Sequence, residues 1–506
     1  MKRRILKTVF SVSGVIVVAK ILGFVRQMVT ASLFGATMET DLINLSQGLL
    51  GDVDNILIHV LLTSFTALYL RLMDADPGEV RRAISDMLKA FALIAVGAIA
   101  LAFIAAPLVA RILAHSYEAE DLAKLTGYMR LYLPLVPLFV FSSAFTSMLN
   151  AHKRFLPAHI VGINISLFSL LLLPLLSRTM GAKSLILTFF AYTIWNFLYL
   201  GFLSRRYWRL ERGGNPFANP HVRELLRMSA PLLLGYSMTF INSQVDKSLT
   251  SGLGEGAVTA LGYGGILSAL VSTFIMSFCS ILFTYTVSAI SRDEHQNAAA
   301  LTVRATGLLL LAFLPVSLLT VLCAGDIVRA AFGHGAFSAQ AVDAAASALR
   351  GYGLMFVPLV VREVCTRFQY GYKDTRRPTI ASSIGIACNI VLSILFSRWW
   401  GIFGIACATS VSVLVCGLLN LFYSRKLNPF LDFKFPPQAL LLILLASGAC
   451  LASATWINGL LADAAPYFRF LAAAACGLTA YFIPVAPFFL KLLRNKPKPT
   501  SMTPDS

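Results

Sequence analysis

Long apolar stretches follow one another along almost the whole chain, and this feature constrains the fold more than any other. A helix needs about 20 mainly apolar residues to cross the hydrocarbon core of a bilayer. Transmembrane β-barrels show shorter, alternating segments instead. The stretches therefore predict an all-α polytopic membrane protein with about fourteen transmembrane helices. They lie near residues 8–33, 41–70, 88–113, 125–149, 156–177, 184–203, 228–252, 258–290, 305–323, 342–366, 379–397, 401–423, 437–457 and 468–490.

Composition excludes a water-soluble protein. Of the 506 residues, 57% are hydrophobic and 13% are charged. A globular domain contains about 45–50% apolar and about 25% charged residues. The links between the apolar stretches are too short for a soluble domain, so lipid is the main solvent of this chain.

The basic residues of the links are distributed unevenly between the two sides of the membrane. With the N-terminus placed in the cytoplasm, 27 Lys and Arg residues lie on the cytoplasmic side and 7 on the opposite side. Basic residues concentrate in cytoplasmic loops of membrane proteins. The pattern predicts a multi-pass protein of the bacterial inner membrane with both termini in the cytoplasm. It also explains the net charge of +18 without nucleic-acid binding.

Two motifs recur at a separation of roughly 220 residues, the length of six predicted helices. Ala31-Ser-Leu-Phe-Gly-Ala36 resembles Ser251-Gly-Leu-Gly-Glu-Gly256, and Lys153-Arg-Phe-Leu-Pro157 resembles Lys373-Asp-Thr-Arg-Arg-Pro378. Many transporters are built from repeated halves that surround a central cavity. The repeat predicts two pseudosymmetric six-helix lobes plus two C-terminal helices around such a cavity. The predicted boundaries are 1–206 for the N-terminal lobe, 207–227 for a cytoplasmic link, 228–424 for the C-terminal lobe, 425–490 for the last two helices and 491–506 for a cytoplasmic tail.

The sequence contains no motif that predicts an enzyme. It has no GxSxG, HExxH or Walker sequence, and its eight cysteines show neither CxxC nor zinc spacing. Cysteines in apolar runs act as small buried hydrophobic residues. We therefore expect a protein that is not an enzyme, with no cofactor and no structural metal beyond a coupling ion.

Ionisable residues inside the apolar stretches are the candidates for function, because charged groups are costly in a membrane. Three simpler explanations apply to some of them. Lys20 could pair with Asp52 or Asp54 between helices, Arg130 could extend to a lipid headgroup, and Arg367 could follow from the cytoplasmic charge excess. The predicted substrate-cavity residues are Lys20, Arg26, Asp41, Asp52, Asp54, Arg130, Lys247 and Arg367.

At these residues the sequence resembles the MviN/MurJ family, the lipid II flippases of the MOP transporter superfamily. The likeness begins in the first two helices and extends through most of the chain. Its longest motif lies at the end of the tenth predicted helix. The matching segments are Ala19-Lys-Ile-Leu-Gly-Phe-Val-Arg26, Phe34-Gly-Ala-Thr-Met-Glu-Thr-Asp41, Met129-Arg-Leu-Tyr-Leu-Pro134, Val245-Asp-Lys247, Phe332-Gly-His-Gly-Ala-Phe337 and Arg367-Phe-Gln-Tyr-Gly-Tyr-Lys-Asp-Thr-Arg-Arg-Pro378.

The sequence departs from the family where the family's cavity arginines are expected to hold the lipid pyrophosphate. Arg26 is retained, and Lys20 stands at the other helix-1 position. The arginine-bearing stretches of helices 2 and 8 are replaced by Asp52-Val-Asp-Asn55 and Gly264-Gly-Ile266. Lysine lacks the planar fork with which arginine grips phosphate oxygens. The resemblance then implies that Lys20, Arg26 and Lys247 meet the pyrophosphate.

The resemblance predicts a flippase that moves a polyprenyl-diphosphate-linked saccharide, lipid II or a related precursor, from the cytoplasmic to the periplasmic leaflet by alternating access. Its partners would be that lipid-linked glycan, the bilayer and the machinery of glycan synthesis or polymerisation. Three alternatives remain: a flippase for exopolysaccharide or O-antigen units, a MATE-like cation-coupled exporter of organic cations, and a non-transporting membrane scaffold.

The resemblance also implies a site for a coupling cation. Some family members are thought to hold sodium between helices 7, 11 and 12. The matching positions are Asp246, Asn389 and Thr409, with Ser393 where other members carry an acid. Oxygen ligands of this kind suit a hard cation. A proton or the membrane potential is the alternative source of energy.

Overall fold

The computed structural model describes residues 2–211, 214–433 and 436–494, with the side chains of 14–490 inside these ranges. Helices account for nearly all of the described chain. The α-helices are α1 Lys2–Phe34, α2 Met38–Leu72, α3 Pro77–Leu113, α4 Ala119–Tyr132, α5 Val136–Ala151, α6 Leu156–Met180, α7 Ser184–Ser204, α8 Pro220–Ser251, α9 Ala257–Ile290, α10 His295–Leu322, α11 Ala324–Phe332, α12 Ala339–Gly353, α13 Phe356–Gly371, α14 Arg376–Leu427, α15 Pro437–Leu460 and α16 Pro466–Arg494.

The described helices confirm the predicted fold class. Ten stretches are long and apolar enough to cross a membrane, and the helices α12 and α13, bent by 44°, form one more. Two of the ten, Leu156–Ser204 and Arg376–Leu427, each contain two helices joined at a glycine. α8 adds a segment of 32 residues that is more polar than the others. The part of the chain that the structure describes therefore has fourteen long helical segments.

A conformational repeat accompanies the repeat in the sequence. Lys153 and Lys373 have φ values of 59° and 61°, a region that residues with a side chain rarely adopt. Gly181 and Gly401, at the breaks inside two of the long stretches, have φ values of 56° and 55°. The members of each pair are 220 positions apart. The two halves of the chain thus repeat their turns as well as their motifs.

Contacts divide the chain into two compact units. The first comprises Met1–Thr259 with His334–Ser338, and the second comprises Ala260–Gly333 with Ala339–Ser506. α8 therefore belongs to the first unit by its contacts, whereas the sequence-based division starts the second lobe at residue 228. The predicted lobe boundaries stay a prediction. Of the predicted tail, 495–506 lie outside the described residues, as do 212–213 of the predicted link.

Small residues bring the helices of the first unit into close contact. A Cβ added to Gly162 of α6 would lie 3.4 Å from the Ala19 side chain of α1, and one added to Gly23 would lie 3.9 Å from Ser166 Oγ. Small residues four apart let two helix backbones approach in lipid. This contact fixes the side of α1 that faces α6. α2 packs against α4, α5 and α8, which places its carboxylates inside the first unit.

Candidate functional site

The closest ion pair within the transmembrane helices of the first unit joins α2 to α8. Lys247 Nζ donates to Asp52 Oδ2 at 2.7 Å. The Gln244 amide donates to the same oxygen at 2.8 Å, and Ser243 Oγ donates to it at 3.0 Å. Lys247 and Asp52 keep 21% and 29% of their side-chain surface exposed. One carboxylate oxygen therefore collects three donors in a position that water can reach.

A glycine provides the space for this contact. Gly48 lies one turn before Asp52 on α2, and a Cβ added there would lie 3.0 Å from Lys247 Nζ and 3.5 Å from Lys247 Cε. The distance of 3.0 Å to Lys247 Nζ is shorter than ordinary van der Waals contact. The lysine side chain thus crosses α2 over Gly48 to reach the carboxylate.

The contacts between α2 and α8 continue as a polar seam, which we define as the paired positions 48–71 of α2 and 224–247 of α8. Towards the end of α2, Ser64 Oγ and Ser229 Oγ are 2.9 Å apart, and Arg71 pairs with Glu224 at 2.8 Å. Residue numbers rise along α2 while they fall along α8, so the two helices are antiparallel. The sequence analysis did not predict this seam. The seam could have been expected from the run Asn242-Ser-Gln-Val-Asp-Lys247, because so many polar residues in one membrane span need hydrogen-bond partners.

A second group of predicted residues surrounds a tyrosine of the first unit. The Tyr192 phenol of α7 lies within electrostatic reach of both Arg26 and Asp54. Arg26 Nε is buried and has no hydrogen-bond partner among the described residues. No hydrogen bond or ion pair joins Asp54 to another described residue. Arg26 and Asp54 thus lie around the same tyrosine, and no ion pair joins them in the described structure.

Lys20 stands apart from both groups. Its side chain is exposed on α1, and no ion pair links it to a described residue. In this structure Lys20 forms an ion pair with neither Asp52 nor Asp54, and Lys247 is the cation bound to Asp52. Lys20 is therefore a cation within a span that remains available to an anionic ligand.

Asp41 is bound within the protein. It is fully buried and accepts hydrogen bonds from the backbone N–H of Thr259 at 2.8 Å and from Thr259 Oγ1 at 2.6 Å. The Tyr117 hydroxyl donates to Asp41 Oδ2 at 3.4 Å. Burial raises the pKa of Tyr117, and the nearby Asp41 carboxylate raises it further, so the phenol stays a donor. Asp41 thus holds the first turn of α9, where unpaired N–H groups favour an anion.

Arg130 contacts the backbone of α3. Its Nε donates to the carbonyl oxygen of Phe103 at 3.1 Å, and its guanidinium lies 4.3 Å from the centroid of the Phe103 ring. Pro107 lies inside α3, four residues after Phe103. Because proline has no N–H, the Phe103 carbonyl lacks its helical donor, and Arg130 supplies one.

Arg367 lies in the second unit, in a compact charged group of α13. Glu363 binds Arg367 and also Arg362, whose Nη2 lies 2.6 Å from Glu363 Oε1. The Glu363 side chain is only 10% exposed. Arg367 Nη2 also reaches Ser280 Oγ at 3.4 Å. Arg367 therefore has an acidic partner within the protein, which it shares with Arg362.

Three of the four predicted cation ligands meet in the second unit. Asn389 Nδ2 donates to Thr409 Oγ1 at 3.2 Å, and Ser393 Oγ donates to Asn389 Oδ1 at 3.3 Å. Asn389 and Ser393 are buried. Asp246, the fourth, belongs to the first unit. Among the described residues no group of three His, Cys, Asp or Glu side chains is placed to hold a metal ion.

The chain matches known proteins over most of its length. The family model described as lipid II flippase MurJ matches residues 30–472. A relative from Borreliella burgdorferi, described as a probable lipid II flippase MurJ, is 25% identical over 431 residues, covering 82% of each chain. A relative from Thermotoga maritima with the same description is 24% identical over 434 residues, covering 82% of this chain and 84% of its own.

Solved structures share the fold. A lipid II flippase MurJ in an inward closed conformation has a TM-score of 0.78 and 22% identity, with 96% of this chain and 99% of that chain covered. An inward-facing multidrug resistance MATE transporter of the MOP superfamily has a TM-score of 0.68 and 13% identity, with coverages of 82% and 94%. The family model covers most of the chain, and a solved structure described as a lipid II flippase MurJ has the same fold. This chain belongs to the lipid II flippase MurJ family.

Proposed function

We propose that this chain moves lipid II, or a closely related polyprenyl-diphosphate-linked saccharide, from the cytoplasmic to the periplasmic leaflet. The family match over residues 30–472 is the observation that carries this proposal. A pyrophosphate and its sugars do not cross hydrocarbon unaided, because an unpaired charge in a medium of low dielectric constant is very costly. The protein replaces the water around them. No covalent bond breaks in this process.

The first unit supplies cations and donors for such a headgroup. Lys20 is exposed, Arg26 Nε has no hydrogen-bond partner in the described part of the chain, and Lys247 is partly exposed. Charged hydrogen bonds to phosphate are roughly twice as strong as neutral ones. These three residues are the substrate contacts that we propose. Asp41, Arg130 and Arg367 have partners within the protein, which favours structural roles for them.

Asp52 places a carboxylate within the proposed substrate site. One of its carboxylate oxygens accepts hydrogen bonds from Lys247, Gln244 and Ser243. A phosphate oxygen accepts the same kinds of hydrogen bond. Substrate binding therefore exchanges Asp52 for a phosphate oxygen at Lys247, and the carboxylate competes with weakly bound anions.

Complementation tests the function directly. Expression of this chain in a strain depleted of its lipid II flippase should restore growth and lipid II export, with the double variant Lys20→Ala/Arg26→Ala as the inactive control. Rescue by the wild type alone supports lipid II transport. Failure of a well-expressed chain to rescue would contradict lipid II as the substrate. Restoration of surface polysaccharide in an exopolysaccharide or O-antigen flippase mutant would then identify the alternative.

We propose a topology with both termini in the cytoplasm, which the charge distribution of the links supports. Single cysteines introduced in the 207–222 link should react with an impermeant thiol reagent only from the cytoplasm. Cysteines in the 253–257 and 334–338 loops should react only from the periplasm. A loop that reacts from the other side would contradict this topology.

A further inference from the structure

Two stacked aromatic rings lie on the polar seam away from the ion pair. The His59 ring of α2 and the Tyr236 ring of α8 have centroids 5.3 Å apart and planes inclined by 13°. Both side chains are exposed, and Tyr236 keeps 37% of its surface accessible. By contrast, the stacked rings of Phe65 and Tyr69 are buried. The His59–Tyr236 pair is therefore accessible at the surface of the two helices.

The stripe of α2 that carries His59 is polar. Asn55, His59 and Thr63 follow one another at intervals of four on α2, and all three are exposed. On α3, the exposed positions Ile104 and Leu108 are apolar, with 77% and 63% of their surface accessible. Lipid-facing positions of a span are apolar, whereas polar positions face a protein interior or a water-filled space. The stripe of α2 that carries His59 thus faces water.

A pair of aromatic rings with an amide nearby matches the chemistry of a sugar. A pyranose ring has an apolar face of C–H groups and a rim of hydroxyls. Exposed aromatic rings cover the face, and an amide such as Asn55 both donates to and accepts from the rim.

We propose that His59 and Tyr236 form a saccharide-binding platform that reads the glycan of the lipid-linked substrate. This inference rests on the proposed function. His59 lies seven residues from Asp52, or about 10 Å along the helix at 1.5 Å per residue. One substrate molecule can therefore place its pyrophosphate at Lys247 and a sugar ring on the platform. The platform contributes affinity only when the substrate carries sugars.

Binding to the purified full-length chain in nanodiscs tests this division of roles. The two probes are undecaprenyl diphosphate and undecaprenyl diphosphate bearing the lipid II headgroup. His59→Ala and Tyr236→Ala should each weaken binding of the glycosylated probe about tenfold, as expected for a lost stacking contact. They should leave binding of the bare diphosphate unchanged. His59→Phe and Tyr236→Phe keep aromatic rings and should stay close to the wild type.

Tyr285→Ala is the matched control, because Tyr285 of α9 is an exposed aromatic residue with 64% of its surface accessible. It should bind both probes as the wild type does. An equal loss for both probes in folded Ala variants would overturn the platform, as would wild-type affinities that do not depend on the sugars. Both results leave the proposed function standing. A wild-type chain that binds neither probe would overturn the two proposals together.

Discussion

Lys247 Nζ of α8 lies 2.7 Å from Asp52 Oδ2 of α2, and the two residues are 195 positions apart in the chain. An ion pair inside a membrane protein neutralises two charges that would each be costly alone. This pair explains how α2 tolerates an acid at a position where the family resemblance leads us to expect arginine. It also places the Asp52 carboxylate, which we propose that the substrate phosphate displaces, next to the lysine that we propose binds the substrate.

Asp52 should compete with phosphate for Lys247. Asp52→Asn keeps the size of the side chain and removes its charge, so binding of undecaprenyl diphosphate should strengthen several-fold. Lys247→Ala should weaken the same binding. The affinities are measured on purified protein, and Asp86→Asn, which affects the α3 ion pair of Lys89 and Asp86, is the control. Unchanged affinity in both Asp52→Asn and Lys247→Ala would show that the pair is purely structural.

Gly48→Ala should disturb the ion pair without changing any charge. The added methyl group would lie 3.0 Å from Lys247 Nζ, so the lysine must move away from its present path. Export of lipid II in the complementation strain should change in the same direction as in Lys247→Ala. Gly51→Ala is the matched control on α2, because a Cβ at Gly51 meets no atom within 4 Å. Equal effects of the two substitutions would contradict this explanation.

Arg26 should be needed for transport rather than for folding. Its buried Nε has no partner among the described residues, so Arg26→Ala removes no internal hydrogen bond of that atom. We expect the variant to insert and to keep its melting temperature in detergent while export falls. Arg26→Lys should retain part of the activity, since lysine keeps the charge and loses bidentate geometry. Normal export by Arg26→Ala would show that Arg26 does not belong to the proposed site. Arg178→Ala is the control, because Arg178 is exposed.

Arg130 should stabilise α3 through the carbonyl that Pro107 leaves without a donor. Arg130→Ala should lower the stability of the purified protein by about 1 kcal/mol, the usual contribution of one hydrogen bond. Pro107→Ala restores a backbone N–H four residues after Phe103, so Arg130→Ala should cost less in that background. Thermal unfolding of the four proteins of this double-mutant cycle measures the coupling. Additive effects would mean that Arg130 does not act through this carbonyl.

We predict that any coupling of transport to sodium requires Asp246, the single carboxylate among the four positions that the family resemblance implies. Asn389 already hydrogen-bonds to both Ser393 and Thr409. Asp246→Asn should lower transport and abolish any dependence on sodium, measured by export in sodium-containing and sodium-free media. Asn428→Asp, a change outside this group, is the control for a general effect on transport of exchanging an amide and an acid. Transport that is insensitive to sodium and to Asp246→Asn would favour a proton or the membrane potential.

The sequence by itself determined the fold class, the number of long helices and the family. Hydropathy is a local property of about 20 residues, so each span can be recognised without knowledge of its neighbours. The motifs at Lys153 and Lys373 are equally local, and both produce the same left-handed backbone conformation. Features of this kind depend only on residues that are neighbours in the chain, so they can be recognised from the sequence alone.

The tertiary structure alone decided which charges are paired. The sequence offered Lys20 as a partner for Asp52, but the antiparallel register of α2 and α8 brings Lys247 to that carboxylate instead. Likewise, only packing reveals that Arg130 donates to a carbonyl of α3 and that Asp41 holds the first turn of α9. An ion pair depends on distances of a few ångströms between helices that are far apart in the chain. Hydrophobic periodicity does not encode those distances, because packing fixes them only when the helices have assembled.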